Sequence, residues 1–278
     1  MSEGWLNENV TVAGVELGVH RTGGGKPPII LVHGITDSGL CWTRVARSLE
    51  RDWDVVMVDA RGHGQSAHPG SYSFAEHVRP AAVDDILAGY IWLAARAGGR
   101  DTAVVADSSG AGLVMSMLQR LKQTGGPMPG RVVLLCPWVD LTCSFGDATE
   151  ADPVSLMVRD QIVLSVPAYL AGHPLDDPDV NPLGADLTGL PTMLVQVGTG
   201  DFVLRDSREL VARGRQHGVD ARLELYAANT HVFHLFWSFL PEAAKALERI
   251  GAFLTDETIT QITPAPARSE VTDVARSR

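Results

Sequence analysis

A mostly parallel α/β sheet, covered by helices on both faces, is the fold class predicted by this 278-residue sequence. Three observations predict it. Short apolar runs rich in Val, Ile and Leu lack the alternation of half-exposed strands, so each reads as a strand buried on both faces. Longer stretches between them carry apolar residues at helical spacing. The two kinds of segment alternate repeatedly, which is the pattern of strand–helix units that build a parallel sheet.

The elements follow in order. Val10–Val12 and Glu16–His20 read as a small antiparallel edge hairpin around Ala13-Gly14. Buried strands are expected at Ile29–Val32, Val55–Val58, Ala103–Ala106, Val132–Leu135 and Met193–Val197, with Arg222–Tyr226 as the next strand. Helices are expected at about Leu40–Leu49, Ala81–Ala97, Gly110–Lys122, Leu204–Gln216 and Pro241–Leu254. In the third of these, Leu113, Met117, Leu118 and Leu121 share one face and form a core stripe. The segment Ser144–Pro191 breaks the alternation. It carries several prolines, a helical stretch near Val154–Leu170 and loop-like His173–Asp186, and it reads as a partial lid or pocket wall. Residues 1–255 read as one domain, and residues 256–278, without periodicity, as a mobile tail.

Composition excludes several function classes. Lys plus Arg number 23 and Asp plus Glu 33, a net charge of −10, and no basic cluster appears; a nucleic-acid partner is not expected. The start, MSEGWLNENV, has neither a basic nor an apolar region of the kind a secretory leader needs. No apolar run approaches the roughly 20 residues of a membrane span. The expected location is therefore cytoplasmic. Cys41, Cys136 and Cys143 are too few and too scattered for a disulfide framework or a zinc site and read as reduced thiols, with Cys136 in the core. No spacing suits a metal. Gly23-Gly24-Gly25 precedes a strand rather than a helix, so no dinucleotide loop is present and no cofactor is expected.

The chemistry concentrates at Val104-Val105-Ala106-Asp107-Ser108-Ser109-Gly110, a buried strand running straight into a helix. A nucleophile on such a turn sits on strained backbone, and the residues two positions either side must be small. Ala106 and Gly110 meet that demand around Ser108. Centring the turn on Asp107 would put Val105 where a small residue is needed. A serine hydroxyl also needs a positioned base, and the base an orienting carboxylate. Asp201 follows the strand Leu194–Gly198 in a Gly-rich loop, and His231 follows Arg222–Tyr226, so both emerge at the carboxyl ends of successive strands. Asp206 is a rival acid, but it reads as a first-turn helix residue complementing the dipole. Asp140, after Val132–Leu135, is a second rival. His234, three residues into a helical run, reads as a packed neighbour of the base. His-Gly after Ile29–Val32 suggests a backbone N–H from Ile35, joined by that of Ser109, as an oxyanion hole. His33, Arg61 and His63 read as turn-bonding residues. Gly34, Trp42 and Trp138 are candidate pocket residues.

The motifs resemble the α/β-hydrolase superfamily, and the resemblance is double. Residues ~80–255 resemble the bacterial hormone-sensitive-lipase-like esterases. The matching stretches are Ala82-Val83-Asp84-Asp85, Asp107–Leu113, Pro137-Trp138-Val139-Asp140-Leu141, Asp152-Pro153, Gly198–Ser207 and His231–Phe236. That family would have His-Gly-Gly-Gly in its oxyanion loop and a helical N-terminal cap; neither is present here. Residues ~10–78 are instead similar to the group of carbon–carbon bond hydrolases, haloperoxidases and epoxide hydrolases, through Leu31–Ser38, Cys41-Trp42 and Asp59–Ser66. A recombinant joined near His77–Pro80 is the expectation. The resemblance implies a carboxylesterase-type serine hydrolase using Ser108, Asp201 and His231 on a small-molecule ester, with short acyl groups favoured by an open site. It leaves lactone or amide cleavage, perhydrolysis, transacylation and a catalytically weak or ligand-binding pseudohydrolase open. A homodimer through the sheet edge or the last helix is a further expectation.

Overall fold

The computed structural model describes residues 4–12, 14–34, 37–67, 79–145, 153–170, 173–175, 177 and 181–256. Its strands are β1 (Leu6–Val12), β2 (Val15–Arg21), β3 (Pro28–Val32), β4 (Asp54–Val58), β5 (Ala103–Asp107), β6 (Arg131–Leu135), β7 (Thr192–Gly198) and β8 (Ala221–Tyr226). The helices are α1 (Thr43–Leu49), α2 (Arg79–Ala97), α3 (Ser108–Thr124), α4 (Pro153–Leu170), α5 (Leu204–Gln216) and α6 (Pro241–Thr255).

The strands form one sheet in the order β1-β2-β4-β3-β5-β6-β7-β8. β1 and β2 make the antiparallel hairpin, β2 joins β4 antiparallel, and the remaining pairs are parallel. The run-on apolar strands have their explanation in two cores, one on each face. On β3, Ile30 and Val32 pack in the cluster formed with α2, α3 and α5, while Ile29 and Leu31 pack with α1 and α6. Burying each such side chain contributes about 1.5–3 kcal/mol, so both faces favour apolar residues. The chain passes from β3 to β4 on one side, then to β5 on the other. That reversal opens a crevice at the carboxyl ends of β3 and β5, where ligands bind in such sheets.

One element differs from expectation. The Leu40–Leu49 helix divides into a 3₁₀ turn, Gly39–Trp42, and the short α1. The helical stretch near Val154–Leu170 forms as α4, with Ile162 and Val166 buried but Val154, Met157, Val163 and Leu164 exposed. Much of the expected lid (146–152, 171–172, 176 and 178–180) lies outside the described residues, as do the expected junction at 77–78 and the tail 257–278. Among the described residues no helix is long and apolar enough to cross a membrane.

Candidate active site

β5 ends at Asp107 and α3 begins at Ser108 with no residue between them. Ser108 has φ +50°, a left-handed conformation that costs a side-chain-bearing residue about 1–3 kcal/mol. The turn also demands close approach. A Cβ on Gly110 would lie 2.7 Å from the His33 carbonyl oxygen, so helix and β3 can meet only over glycine. Ala106, on the other side, is fully buried. Asp107 faces away from any nucleophilic role: its Oδ1 accepts the Gly34 N–H at 3.1 Å, tying the elbow to the loop after β3. Burial, aided by the Asp37 charge and opposed by His231 and the Gly34 N–H, pushes the Asp107 carboxyl up to about 7.

Ser108, His231 and Asp201 meet across the carboxyl ends of β5, β7 and β8. The Ser108 hydroxyl donates to His231 Nε2 at 2.9 Å. His231 Nδ1 lies 3.0 and 3.1 Å from the two Asp201 oxygens and donates to that carboxylate. Asp201 is itself held by the Val203 N–H at 3.1 Å. Burial pushes the Asp201 carboxyl up; the opposing charge and hydrogen bond of His231, with the Val203 N–H and the Cys136 thiol, outweigh it and leave the pKa below the ordinary value. The carboxylate is therefore ionised and aimed at the imidazole. A hydroxyl, imidazole and carboxylate so ordered can pass the hydroxyl proton to the ring while the carboxylate stabilises the resulting cation.

Several supports of His231 left no readable sequence signal. Its backbone N–H donates to Ser155 Oγ at 2.7 Å, so the start of α4 anchors the loop across 76 residues of sequence. The Phe202 ring packs on the imidazole at 4.5 Å between centroids, and Phe145 meets Phe202 edge-on. The sequence indicates a helix near Val154–Leu170 but not this contact.

The rivals have other work. Asp140 accepts the Thr142 N–H and hydroxyl. Asp206 is more than a first-turn residue complementing a helix dipole. It is buried, and its Oδ2 accepts the N–H groups of Asp140 at 3.2 Å and Val139 at 3.4 Å, fastening α5 to the loop after β6. Burial, reinforced by the Asp140 charge, pushes it up to about 7. His234 lies in a 3₁₀ turn, Phe233–Phe236, rather than in a longer helix. It is fully buried, its Nε2–H donates to Gln196 Oε1 at 3.1 Å, and burial drives its pKa down to about 3.

Of the expected oxyanion donors, Ser109 stands on the first turn of α3, and Ile35 lies outside the described residues. His33 braces that loop: its Nδ1–H donates to the Gly34 carbonyl at 2.7 Å and its Nε2 accepts the Ala60 N–H at 3.0 Å. Arg61 makes a two-pronged ion pair with Asp85, and His63 Nδ1 bonds the Arg61 carbonyl. A cavity of about 70 Å³ opens beside Gly34 and Ser109, walled by Leu17, Ile30, Val58, Ile86 and Leu113. The two tryptophans read as pocket walls are not part of it. Trp42 is fully buried beneath the sheet with Ile29, Leu31 and Val45, because the 3₁₀ turn directs it into the α1–α6 core. Trp138 is buried in the opposite core, its indole N–H donating to the Asp140 carbonyl at 3.0 Å.

With this geometry in view, the alpha/beta hydrolase fold family matches residues 71–235. The chain belongs to the alpha/beta hydrolase fold family. Within it, the chain is 37% identical over 183 residues to an acetyl-hydrolase of Streptomyces hygroscopicus, covering 64% of this chain and 60% of that one. It is 34% identical over 189 residues to an esterase of Acinetobacter venetianus, covering 65% and 60%. The chain thus spans about three fifths of the length of these curated relatives. Among solved hydrolases, an esterase from the bacterial hormone-sensitive lipase family superposes with a TM-score of 0.74 at 29% identity, covering 91% of this chain and 85% of that one. An esterase/lipase from an uncultured bacterium matches with the same values.

Proposed function

We propose that this protein hydrolyses carboxylic esters, with Ser108 as nucleophile, His231 as general base and acid, and Asp201 as the orienting acid. The observation that carries the reading is the continuous hydrogen-bonded chain from the Ser108 hydroxyl through His231 to Asp201, set on a strained elbow. The acetyl-hydrolase and esterase relatives support the bond class. Ser108 Oγ attacks the ester carbonyl as its proton passes to His231 Nε2. The oxyanion forms against the N–H of Ser109 and of the loop carrying Ile35; losing one such donor typically costs about 10²–10³ in rate. His231 then protonates the leaving alcohol, and water attacks the acyl-enzyme by the same route in reverse.

The substrate reading is a short acyl chain. The small cavity beside Gly34 and Ser109 is lined mostly by apolar side chains, and one relative is an acetyl-hydrolase; both support this reading. Hydrolysis of acetyl, butyryl, octanoyl and dodecanoyl p-nitrophenyl esters tests this, with Ser108→Ala as control. Acetyl and butyryl esters should turn over fastest and the variant should be inactive. A dodecanoyl preference overturns the acyl reading; an active Ser108→Ala overturns the mechanism.

A two-branch origin with a join near residues 77–80 gains no support from the family match, which starts at residue 71 and runs across that join. Comparing residues 10–70 and 80–255 separately with hydrolase sequences decides it. A single branch covering both stretches overturns it.

A further inference from the structure

Cys136 directly follows β6 and sits in the fully buried wall behind Asp201. Its φ is +45°, a conformation that glycine adopts freely and a residue with a Cβ does not. A glycine would make the turn without strain, so the side chain needs its own explanation. The backbone is pinned from two sides: the Cys136 N–H donates to the Gln196 carbonyl of β7 at 2.8 Å, and the Trp138 N–H donates to the Ser108 carbonyl at 3.1 Å. This turn brings Sγ, an Asp201 oxygen and a His231 ring nitrogen within 4.8 Å of one another. The backbone N–H groups of Gly198 and Val232 face the sulfur, and the thiol interacts with Asp201. Val232 immediately follows His231 and itself has φ +50°. The sulfur therefore stands within 4.8 Å of both the acid and the base.

We propose that Cys136 is a positioning residue whose thiol holds the Asp201 carboxylate in line with His231 Nδ1 and joins the acid loop to the base loop. This rests on the reading of Ser108, His231 and Asp201 as the triad. An ionised carboxylate offers about four lone-pair sites. His231 and the Val203 N–H take part of that capacity, and burial keeps the carboxylate from bulk solvent. A thiol is a weak donor: it can satisfy the carboxylate without drawing it off the imidazole. Burial, reinforced by the Asp201 charge, raises the Cys136 pKa far above its ordinary value, so the group remains a neutral S–H and adds no second negative charge. Removing it leaves the carboxylate more basic and raises the pH at which the imidazole loses its proton.

The test compares Cys136→Gly and Cys136→Ser with wild type, reading kcat and KM for an acetyl ester across pH, with urea unfolding alongside. Glycine suits the backbone and deletes only the thiol; serine restores a donor. The Gly variant should lose about three- to tenfold in kcat, the size of one net hydrogen bond, with KM within about twofold. Its acidic limb should move to higher pH. The Ser variant should return both towards wild type. A Gly variant with wild-type kcat and pH profile overturns the proposal, as does an equal loss in both variants that follows only their stability. Asp201→Asn separates the two readings: if it stays fully active, the triad reading itself fails; if it is inactive while Cys136→Gly matches wild type, only the role of Cys136 fails.

Discussion

Asp206→Asn separates the acid of the site from a carboxyl that fastens the fold. Asp206 is 2% exposed and accepts two backbone N–H groups from the loop after β6. Its folded pKa is about 7 against an ordinary 3.8. Between those values the folded state binds more protons than the unfolded state, so stability falls as pH rises through that window. A difference of about three units at 1.36 kcal/mol each sets a ceiling near 4 kcal/mol for the penalty fully developed above pH 7. Asparagine keeps the accepting oxygen and cannot ionise, while its buried NH₂ costs about 1–2 kcal/mol where no acceptor faces it. The net expectation is about 2–3 kcal/mol of added stability at pH 8, and a loss of about 1–2 kcal/mol at pH 4, where wild-type Asp206 is already neutral when folded. Urea unfolding at the two pH values measures both. Ester hydrolysis should stay within about threefold of wild type, since Asp206 lies outside the relay. An identical stability change at both pH values would refute the ionisation argument. A rate loss near the ~10⁴ typical of a missing triad carboxylate would transfer the acid role from Asp201.

Three further predictions concern the elbow, the core and the anchor of the base. Gly34→Ala places a Cβ 3.1 Å from Asp107 Oδ2 and 3.4 Å from Ser108 Cβ, so the oxyanion loop or the nucleophile must shift; kcat should fall about 10–100-fold with little change in unfolding midpoint. Trp42→Ala empties the α1–α6 core and should cost about 3–5 kcal/mol in urea unfolding, while acyl-chain preference, read on the folded enzyme, stays as in wild type. Ser155→Ala removes the acceptor of the His231 N–H and should lower kcat more than it raises KM, by about tenfold; an unchanged kcat would mean that α4 does not position the base.

The positions of the strands, the helices between them and the meeting of Ser108, Asp201 and His231 were legible because each is written in local pattern. Buried parallel strands are continuous apolar runs, the elbow needs small residues at fixed offsets, and carboxyl-end loops of successive strands converge on one crevice. α5 ran Leu204–Gln216 as its spacing indicated. What was not legible depends on direction and distance. Trp42 and Trp138 stand beside site loops in sequence, yet the 3₁₀ turn sends one below the sheet and the loop after β6 sends the other into the opposite core. Nothing local says which way an aromatic beside a loop will point. Cys136 extends an apolar run and reads as core; its left-handed backbone, which turns the thiol onto Asp201, has no signature in residue type. Ser155 reaches His231 through tertiary packing alone.

The central claim is that Ser108 is the activated nucleophile, and covalent labelling tests it most directly. A fluorophosphonate should label the wild-type protein at one site, mapped by mass spectrometry to the peptide bearing Ser108. Labelling should vanish in Ser108→Ala and slow by orders of magnitude in His231→Ala. Label on another residue, or equal labelling of wild type and Ser108→Ala, would contradict the account.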